Sequence, residues 1–191
     1  MSKLSRNADP DDIVSDIRTF FVTTKTAAGR RLLQTERNAN LLIDVLRTSV
    51  TAKNFEVHDF VIMPDHVHIL LSIGDDITIE KAMQLIKGGF SYRLKNEFAF
   101  SGEVWQRGFA DERIRDRGSF AKHREYIRQN PVKAGLVDEP EKFPFSFRYL
   151  ARQKVAGAKA QQLADTSGTT EVVPFHETRK KCETDLHARS T

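Results

Sequence analysis

Cysteine and long hydrophobic runs are nearly absent from this sequence. The 191 residues include one cysteine, Cys182, which excludes an internal disulfide framework and a cysteine-rich zinc site. No stretch approaches the roughly 18 apolar residues of a transmembrane helix, and the polar start of the chain lacks the apolar core of a signal peptide. No GxxxxGKS or GxxxxGKT phosphate loop is present, so nucleotide hydrolysis is not expected. We therefore expect a soluble, cytoplasmic protein without a membrane partner.

The chain nevertheless has the apolar content of a globular domain. Apolar residues make up 39% of the sequence and include 13 phenylalanines, which is enough to bury a core. The 30 basic and 26 acidic side chains leave a net charge of +4, which by itself indicates no partner. Composition predicts a loose N-terminus over residues 1–16, one domain over 17–150, and a polar, largely flexible tail over 151–191.

Alternating and helical apolar patterns predict an α+β fold. Runs of β-branched and aromatic residues indicate strands, and apolar residues at helical spacing indicate helices. The predicted strands are Ile17–Lys25, Phe55–Met63, His66–Ile73, Val104–Arg107 and Glu112–Arg115. The predicted helices begin at Glu36, Ile79 and Ser119. This order predicts an antiparallel β-sheet with helices packed on it.

Local signals set the predicted ends and the packing of the helices. Thr78 is a suitable N-cap for the second helix, and the Gly88-Gly89 pair predicts a kink in that helix or the close approach of another backbone. Ser119 is the expected N-cap of the third helix, and Pro131 is expected to end it at Asn130. The second helix has one apolar stripe, formed by Ile79, Ala82, Met83, Ile86, Phe90 and Leu94.

Positive charge and aromatic residues are concentrated between Lys87 and Lys133. This segment has eleven Lys and Arg against six Asp and Glu, a local excess of +5. Basic and aromatic side chains together suit phosphate contacts and base stacking, although a solvated helix face over an ordinary core gives the same pattern. The candidates for such contacts are Lys87, Arg93, Lys95, Arg107, Arg113 and Arg115, with Trp105 as a base-stacking or core residue.

Two histidines lie on the same face of a predicted strand. Side chains alternate along a strand, so His66 and His68 point the same way, with Cα atoms about 6.5–7 Å apart. Two neutral imidazoles at this spacing are able to bind one divalent cation. Two ordinary core or surface histidines are the alternative, because six histidines give such a pair by chance in roughly one sequence in six.

A second group of polar residues lies on the third predicted helix. Tyr126 and Asn130 are four residues apart, and His123 is three residues before Tyr126, so the three share one helix face. A phenol next to an amide oxygen combines a nucleophile with a further metal ligand. A half-buried structural tyrosine near a helix end is the alternative.

These segments, in this order, resemble the REP-associated branch of the single-tyrosine HUH transposases. The matching motifs are MPDHVHILL (Met63–Leu71), GEVWQRGF (Gly102–Phe109) and HREYIRQNPVKAGLV (His123–Val137), within a resemblance that covers about residues 17–150. The resemblance implies a ferredoxin-like, RRM-like nuclease core. It also implies an enzyme that nicks and rejoins single-stranded DNA beside hairpins or palindromic repeats through a 5′-phosphotyrosine.

The resemblance also assigns roles to particular residues. His66 and His68 match the paired metal ligands of the family, Tyr126 matches the nucleophile, and Asn130 matches the third ligand. Two nitrogens and an amide oxygen favour Mg²⁺ or Mn²⁺ over a closed structural zinc site. By analogy with the REP-associated branch, we expect a monomer rather than a homodimer.

Two further side chains are candidates for orienting these groups. A two-residue turn at Pro64-Asp65 would place Asp59 on the histidine face, diagonal to His68, where its carboxylate would orient that imidazole. His123 is the second candidate because it shares the face of Tyr126. Tyr92 is a rival nucleophile, but no ligand-like motif follows it.

Two other functions remain open from the sequence. One is a domesticated protein that binds palindromic DNA repeats without cutting them. The other is a metal phosphoesterase that hydrolyses its substrate through water, with Tyr126 as a structural residue. Covalent attachment of DNA to Tyr126 distinguishes the transesterase from both of these alternatives.

Overall fold

A computed structural model describes residues 17–52 and 55–166 of the chain. The strands are β1 (Arg18–Lys25), β2 (Phe55–Ile62), β3 (His66–Ile73) and β4 (Ala110–Ile114). The helices are α1 (Glu36–Ala52), α2 (Ile79–Phe98), α3 (Arg117–Lys133) and α4 (Phe147–Thr166), with short 3-10 turns at Ala27–Gly29 and Pro140–Lys142. The loose N-terminus predicted for residues 1–16, and residues 167–191 of the predicted tail with Cys182, lie outside the described residues.

The four strands form one antiparallel sheet in the order β2-β3-β1-β4. This arrangement confirms the predicted α+β fold with helices packed on an antiparallel sheet. Among the described residues, no helix is both long enough and apolar enough to cross a membrane.

The two faces of the sheet pack against different helices. On one face, α1 and α2 complete the larger core, to which β3 contributes Val67, Ile69, Leu71 and Ile73. On the other face, Leu70 of β3 packs with Ile127 of α3 in a smaller core. Because side chains alternate along a strand, His66 and His68 lie on the same face as Leu70 and α3.

Helix α2 follows the sequence pattern closely. The Thr78 hydroxyl accepts a hydrogen bond from the Lys81 N–H at 3.2 Å, which caps the helix, and all six residues of the predicted apolar stripe are buried. The helix is continuous through Gly88-Gly89. A Cβ on Gly89 would lie 3.2 Å from Cγ1 of Val45 in α1, so the close neighbour at this glycine is a side chain and not another backbone.

A β-bulge between Val57 and Asp59 sets the register of β2 against β3. On the turn side of the bulge, Asp59 pairs with Leu70 and Val61 pairs with His68. Asp59 therefore lies on the histidine face, diagonal to His68, as the two-residue turn predicted.

Helix α3 begins and ends at different residues from those predicted. Asp116 is the N-cap, because its carboxylate accepts a hydrogen bond from the Ser119 N–H at 2.7 Å, so the prediction of Ser119 is wrong. Pro131 lies inside the helix, which continues to Lys133. The helix ends where Gly135 adopts a left-handed backbone with φ of +66°, the usual C-terminal stop of the Schellman type.

Two other segments also differ from the predictions. Residues 104–107 form a loop, not a strand, with one isolated bridge between Trp105 and Thr26. Residues 147–166 form α4, so the boundary predicted after Leu150 falls inside a helix. The chain divides into one compact unit that ends at Val155 and a second that begins at Ala156, of which residues 156–166 are described.

Candidate active site

The two histidines of β3 each have one ring nitrogen engaged by a neighbour. Nδ1 of His66 lies 2.7 Å from Oδ1 of Asp65, and Nδ1 of His68 lies 2.8 Å from the Thr23 hydroxyl. The ring centroids are 4.8 Å apart. Because a carboxylate only accepts hydrogen bonds, Nδ1 of His66 carries the proton and its Nε2 keeps a free lone pair. When Nδ1 of His68 donates to Thr23, its Nε2 is free in the same way.

The turn that carries Asp65 is fixed by hydrogen bonds from two neighbouring segments. The Asp65 carbonyl oxygen lies 2.8 Å from the Thr26 amide nitrogen and 3.0 Å from the Thr26 hydroxyl. The Pro64 carbonyl accepts a hydrogen bond from the Leu33 N–H at 2.9 Å. Thr26 is fully buried, so water does not compete for these bonds. The carboxylate that orients His66 is therefore held on a rigid backbone.

Tyr126 of α3 lies beside the histidines. The centroid of its ring is 5.2 Å from that of His68, with the two rings nearly perpendicular. Phe21 of β1 stacks on His68 at 5.3 Å and contacts the edge of Tyr126 at 5.8 Å, so one aromatic ring supports both. Tyr126 is 42% exposed. The phenol is thus close to the imidazoles and open to a large substrate.

Burial controls the protonation of His68. The residue is 4% exposed, and loss of hydration, assisted by the positive charges of His66 and Lys25, lowers the pKa of His68 to about 3. The ring is therefore neutral at physiological pH. A neutral imidazole is the form that binds a metal ion.

The donors at this site fit a divalent cation. Asn130 lies one helical turn after Tyr126, and its side-chain amide has no hydrogen-bond partner within residues 17–52 and 55–166. No cluster of three or more His, Cys, Asp or Glu with metal-binding geometry occurs in these ranges. A cation at this site would therefore use the Nε2 atoms of His66 and His68, with the Asn130 amide oxygen and external oxygens completing its shell.

Comparison with known proteins places this arrangement in a family. The family model for IS200-like transposases matches residues 17–130, which include both histidines, the tyrosine and the asparagine. The chain belongs to the IS200-like transposase family. The REP-associated resemblance is confirmed by two relatives.

Two relatives of this chain carry the REP-associated name. It is 33% identical over 103 residues to a candidate REP-associated tyrosine transposase of Haemophilus influenzae, a match that covers 48% of this chain and 58% of the relative. It is 30% identical over 132 residues to the REP-associated tyrosine transposase of Escherichia coli, with 67% and 74% covered. The match thus spans less than two thirds of the first relative and about three quarters of the second.

The fold of this chain also matches that of a solved structure. A REP-associated tyrosine transposase bound to a REP hairpin superimposes with a TM-score of 0.60 at 22% identity. The superposition covers 96% of this chain and the whole of the other chain. At this level of identity, the match shows that the two proteins share a fold.

Asp59 does not contact the histidines among the residues that the structure describes. Its carboxylate accepts hydrogen bonds from the Phe60 N–H at 2.9 Å and from Nε of Arg124 at 3.3 Å, whereas the partner of His68 is Thr23. The expectation that Asp59 orients His68 is therefore corrected. Burial raises the pKa of the Asp59 carboxyl, and the Arg124 guanidinium opposes that rise. This ion pair connects α3 to β2.

His123 also connects α3 to the sheet. Its Nδ1 donates a hydrogen bond to the Ser119 carbonyl at 2.8 Å, and its Nε2 lies 3.3 Å from a carboxylate oxygen of Glu112 in β4. Its ring packs 4.6 Å from Phe21. His123 therefore contacts the ring that supports His68 and Tyr126, and in this way helps to position α3.

Three of the predicted phosphate-contact residues have internal partners. The Lys87 ammonium donates hydrogen bonds to the carbonyls of Gln106 at 3.0 Å and Gly108 at 2.6 Å. The Trp105 indole donates to the Lys87 carbonyl at 3.1 Å and packs on the larger core. Arg93 pairs with Glu97 at 2.6 Å. Lys87 and Trp105 therefore hold the 104–109 loop. Lys87 does not face a ligand as expected, whereas Trp105 takes the core role that the sequence left open.

The other four predicted contact residues are exposed. They are Lys95, Arg107, Arg113 and Arg115. None of them has an acidic partner in the part of the chain that the structure describes. The rival nucleophile Tyr92 is 71% exposed on α2, and no described contact links it to the histidines.

Three residues of the site were not identified from the sequence. Asp65 directly precedes His66, so an Asp-His-x-His pattern was the available signal, but the residue was interpreted as part of a turn. Thr23 and Phe21 lie opposite His68 and Leu70 on β1. Finding them required the register between two strands far apart in sequence, and no local pattern supplies that register.

Proposed function

We propose that this protein is a metal-dependent transesterase that nicks and rejoins single-stranded DNA beside hairpin or palindromic repeats, with Tyr126 as its nucleophile. The observation that carries the proposal is the 5.2 Å between the ring centroids of an exposed Tyr126 and the buried, neutral His68. The solved structural neighbour bound to a REP hairpin supports hairpin DNA as the partner, as does the REP-associated relative from Escherichia coli.

The chemistry follows from the accessibility of the phenol. Oη of Tyr126 attacks the scissile phosphorus, the Oη–P bond forms, and the P–O3′ bond breaks. The phenolic proton is lost to solvent, and the released 3′-oxygen gains a proton. A phenolate is a better leaving group than a sugar alkoxide, so the phosphotyrosine conserves the bond energy for attack by another 3′-hydroxyl. Strand joining therefore needs no nucleotide cofactor.

The side chains around the histidines prepare them for a cation. Asp65 holds the Nδ1 proton of His66, and when Nδ1 of His68 donates to Thr23, both Nε2 atoms are available to a cation. The Asn130 amide oxygen is the third ligand that the family resemblance implies. When bound there, Mg²⁺ or Mn²⁺ supplies positive charge to a non-bridging oxygen of the attacked phosphate. Phe21 keeps the phenol and the imidazole at a fixed separation.

One chain contains every side chain that this chemistry uses. His66 and His68 lie on β3, and Tyr126 and Asn130 lie on α3 of the same compact unit. This arrangement supports a monomer as the acting species, because no second copy is needed to complete the site.

Formation of a covalent adduct tests the proposal. A labelled hairpin oligonucleotide carrying a single-stranded flank, incubated with the full chain and Mn²⁺, should give a protein–DNA adduct that survives denaturing electrophoresis. Tyr126→Phe should give none, whereas Tyr92→Phe, which removes a more exposed phenol that does not contact the histidines, should leave the adduct unchanged. His66→Ala should abolish the adduct and retain hairpin binding.

Each alternative outcome contradicts a specific part of the proposal. Cleavage that persists in Tyr126→Phe would indicate hydrolysis by water with a structural tyrosine. Salt-dependent binding without cleavage in Mg²⁺ or Mn²⁺ would indicate a protein that only binds repeats. An adduct that forms equally well in excess chelator would contradict the metal requirement.

A further inference from the structure

Lys133, the last residue of α3, lies beside the phenol of Tyr126. Its Nζ is 5.6 Å from the centroid of the Tyr126 ring. Seven residues separate the two, which is about two helical turns, and a helical side chain points back toward the N-terminus of its helix. The ammonium therefore extends along α3 toward Tyr126. No sequence pattern identified Lys133 as a site residue.

The positive charge of Lys133 is not neutralised by a neighbouring acid, unlike those of two arginines on the same helix. Arg124 pairs with Asp59 at 3.3 Å, and Arg128 pairs with Glu141 at 3.0 Å. Lys133 has no acidic partner among the residues that the structure describes. Its charge thus acts on the adjacent phenol without a competing carboxylate.

The backbone that carries Lys133 is fixed by the stop signal of α3. The N–H groups of Gly135 and Leu136 donate to the carbonyls of Val132 and Pro131, both at 2.9 Å. Because the helix continues past Pro131 before this stop, Lys133 keeps helical geometry relative to Tyr126. A helix that ended at Asn130 would not define where the ammonium lies.

We infer that Lys133 stabilises the negative charge on the Tyr126 oxygen during strand cleavage and strand joining, an inference that rests on the proposed function. In joining, the 3′-oxygen bonds to phosphorus, the Oη–P bond breaks, and its electron pair stays on Oη. The 3′-hydroxyl proton goes to solvent. In cleavage, the same phenolate forms when Tyr126 loses its proton to solvent. An ammonium over the Tyr126 ring stabilises this charge in both directions.

Single-turnover kinetics of three variants test the inference. Lys133→Gln should slow both adduct formation and strand joining by roughly 10- to 100-fold and leave the affinity for the hairpin unchanged. Lys133→Arg should restore most of the rate because it restores the charge. Lys142→Gln is the matched control, since it removes an exposed lysine that pairs with Glu139, and it should react at the wild-type rate.

A fluorinated tyrosine at position 126 distinguishes phenolate stabilisation from other roles of Lys133. Ring fluorines stabilise the phenolate by themselves, so at neutral pH the Lys133→Gln defect should shrink when difluorotyrosine replaces Tyr126. A Lys133→Gln protein that reacts at the wild-type rate would overturn the inference. A defect that fluorination does not reduce, or that matches a loss of hairpin affinity, would also overturn it. Absence of any adduct with the wild-type protein would instead refute the proposed function.

Discussion

His68 is a titratable side chain that folding buries without a countercharge. The Thr23 hydroxyl satisfies Nδ1, and Phe21 covers one face of the ring. Neither neighbour carries a negative charge that would offset the loss of hydration of an imidazolium. The folded protein therefore favours neutral His68 strongly, and this preference links the protonation of one ring to the stability of the whole domain.

The free energy of unfolding of the metal-free protein should fall as the pH decreases below about 6.5. The pKa of His68 is lowered from 6.5 to about 3 on folding, so the unfolded chain binds a proton that the folded chain excludes over this interval. The stabilisation is complete above pH 6.5 and is lost as the pH falls toward 3. Between pH 7 and pH 5 the loss from this group should be on the order of 2 kcal/mol. Urea unfolding in chelator measures it.

His68→Gln provides the comparison for this pH dependence. Glutamine can still bond to Thr23 but does not titrate. Between pH 7 and pH 5, the unfolding free energy of His68→Gln should therefore change by about 2 kcal/mol less than that of the wild type. Identical pH profiles for the two proteins would show that His68 does not carry the effect.

Helix α3 places three chemically different groups on one rigid element. Tyr126, Asn130 and Lys133 all lie in its second half, and the ion pair between Arg124 and Asp59 holds the helix against β2. The C-terminal turn depends on Gly135, whose φ of +66° is costly for any residue with a Cβ. The geometry of the last turn thus rests on one glycine outside the helix.

Gly135→Ala should destabilise the protein by about 1 kcal/mol, because alanine pays a conformational cost in the left-handed region. The space around the position is open, with nothing within 4 Å of an added Cβ, so no steric clash contributes. Thermal unfolding and urea unfolding at neutral pH both measure the change.

Gly88→Ala is the matched control for that substitution. Gly88 lies inside α2, and an added Cβ also meets nothing within 4 Å. Alanine favours helix over glycine by about 1 kcal/mol, so this variant should be more stable than the wild type. A shift of the same sign in both variants would contradict the role assigned to the left-handed backbone at Gly135.

The sequence predicted those elements whose signals are local. The alternation in residues 66–73 and the apolar stripe of α2 correspond closely to β3 and to the buried face of α2. The end of α3 was missed because Pro131 was weighed above Gly135, although the tertiary structure accommodates a proline buried in the last turn. Residues 104–107 have strand-like composition, but Lys87 and the backbone of residues 25–27 hold them as a loop.

The candidate site was predictable to the extent that it depends on spacing along one element. The pair His66 and His68, and the pair Tyr126 and Asn130, each follow from strand or helix periodicity. Their meeting in space depends on how α3 packs on the sheet. The neighbours Phe21 and Thr23 depend on strand pairing across about 45 residues, and no local sequence signal specifies either.

Over the whole molecule, positive charges divide into internal and external groups. Lys87 is used to hold the 104–109 loop, whereas Arg107 in that same loop is exposed and has no acidic partner in the described ranges. Net charge does not distinguish these two cases. Substitution of Lys87 and substitution of Arg107 should therefore have different effects on stability and on DNA binding.

Arg107→Gln should weaken DNA binding, and Lys87→Gln should weaken folding. If Arg107 contacts one phosphate of single-stranded DNA, its loss should reduce the slope of log affinity against log salt by about 0.7 and leave the melting temperature unchanged. Lys87→Gln removes two charge-assisted hydrogen bonds and should lower the unfolding free energy by about 1–2 kcal/mol with no change in that slope. Fluorescence anisotropy titrations at several salt concentrations and thermal melts of both variants measure the two effects. The reverse result would show that Lys87, and not Arg107, faces DNA.

Odd-numbered and even-numbered residues of β3 lie on opposite faces of the sheet. Val67, Ile69 and Leu71 face the larger core, whereas His66 and His68 face α3. Mutations at Val67, Ile69 and Leu71 should therefore affect mainly stability, and mutations at His66 and His68 mainly the reaction. A laboratory evolution experiment could randomise the odd positions to raise thermal tolerance while the reacting surface keeps its composition. In such an experiment, substitutions that raise thermal stability and substitutions that change substrate preference would occur at different positions of the same strand.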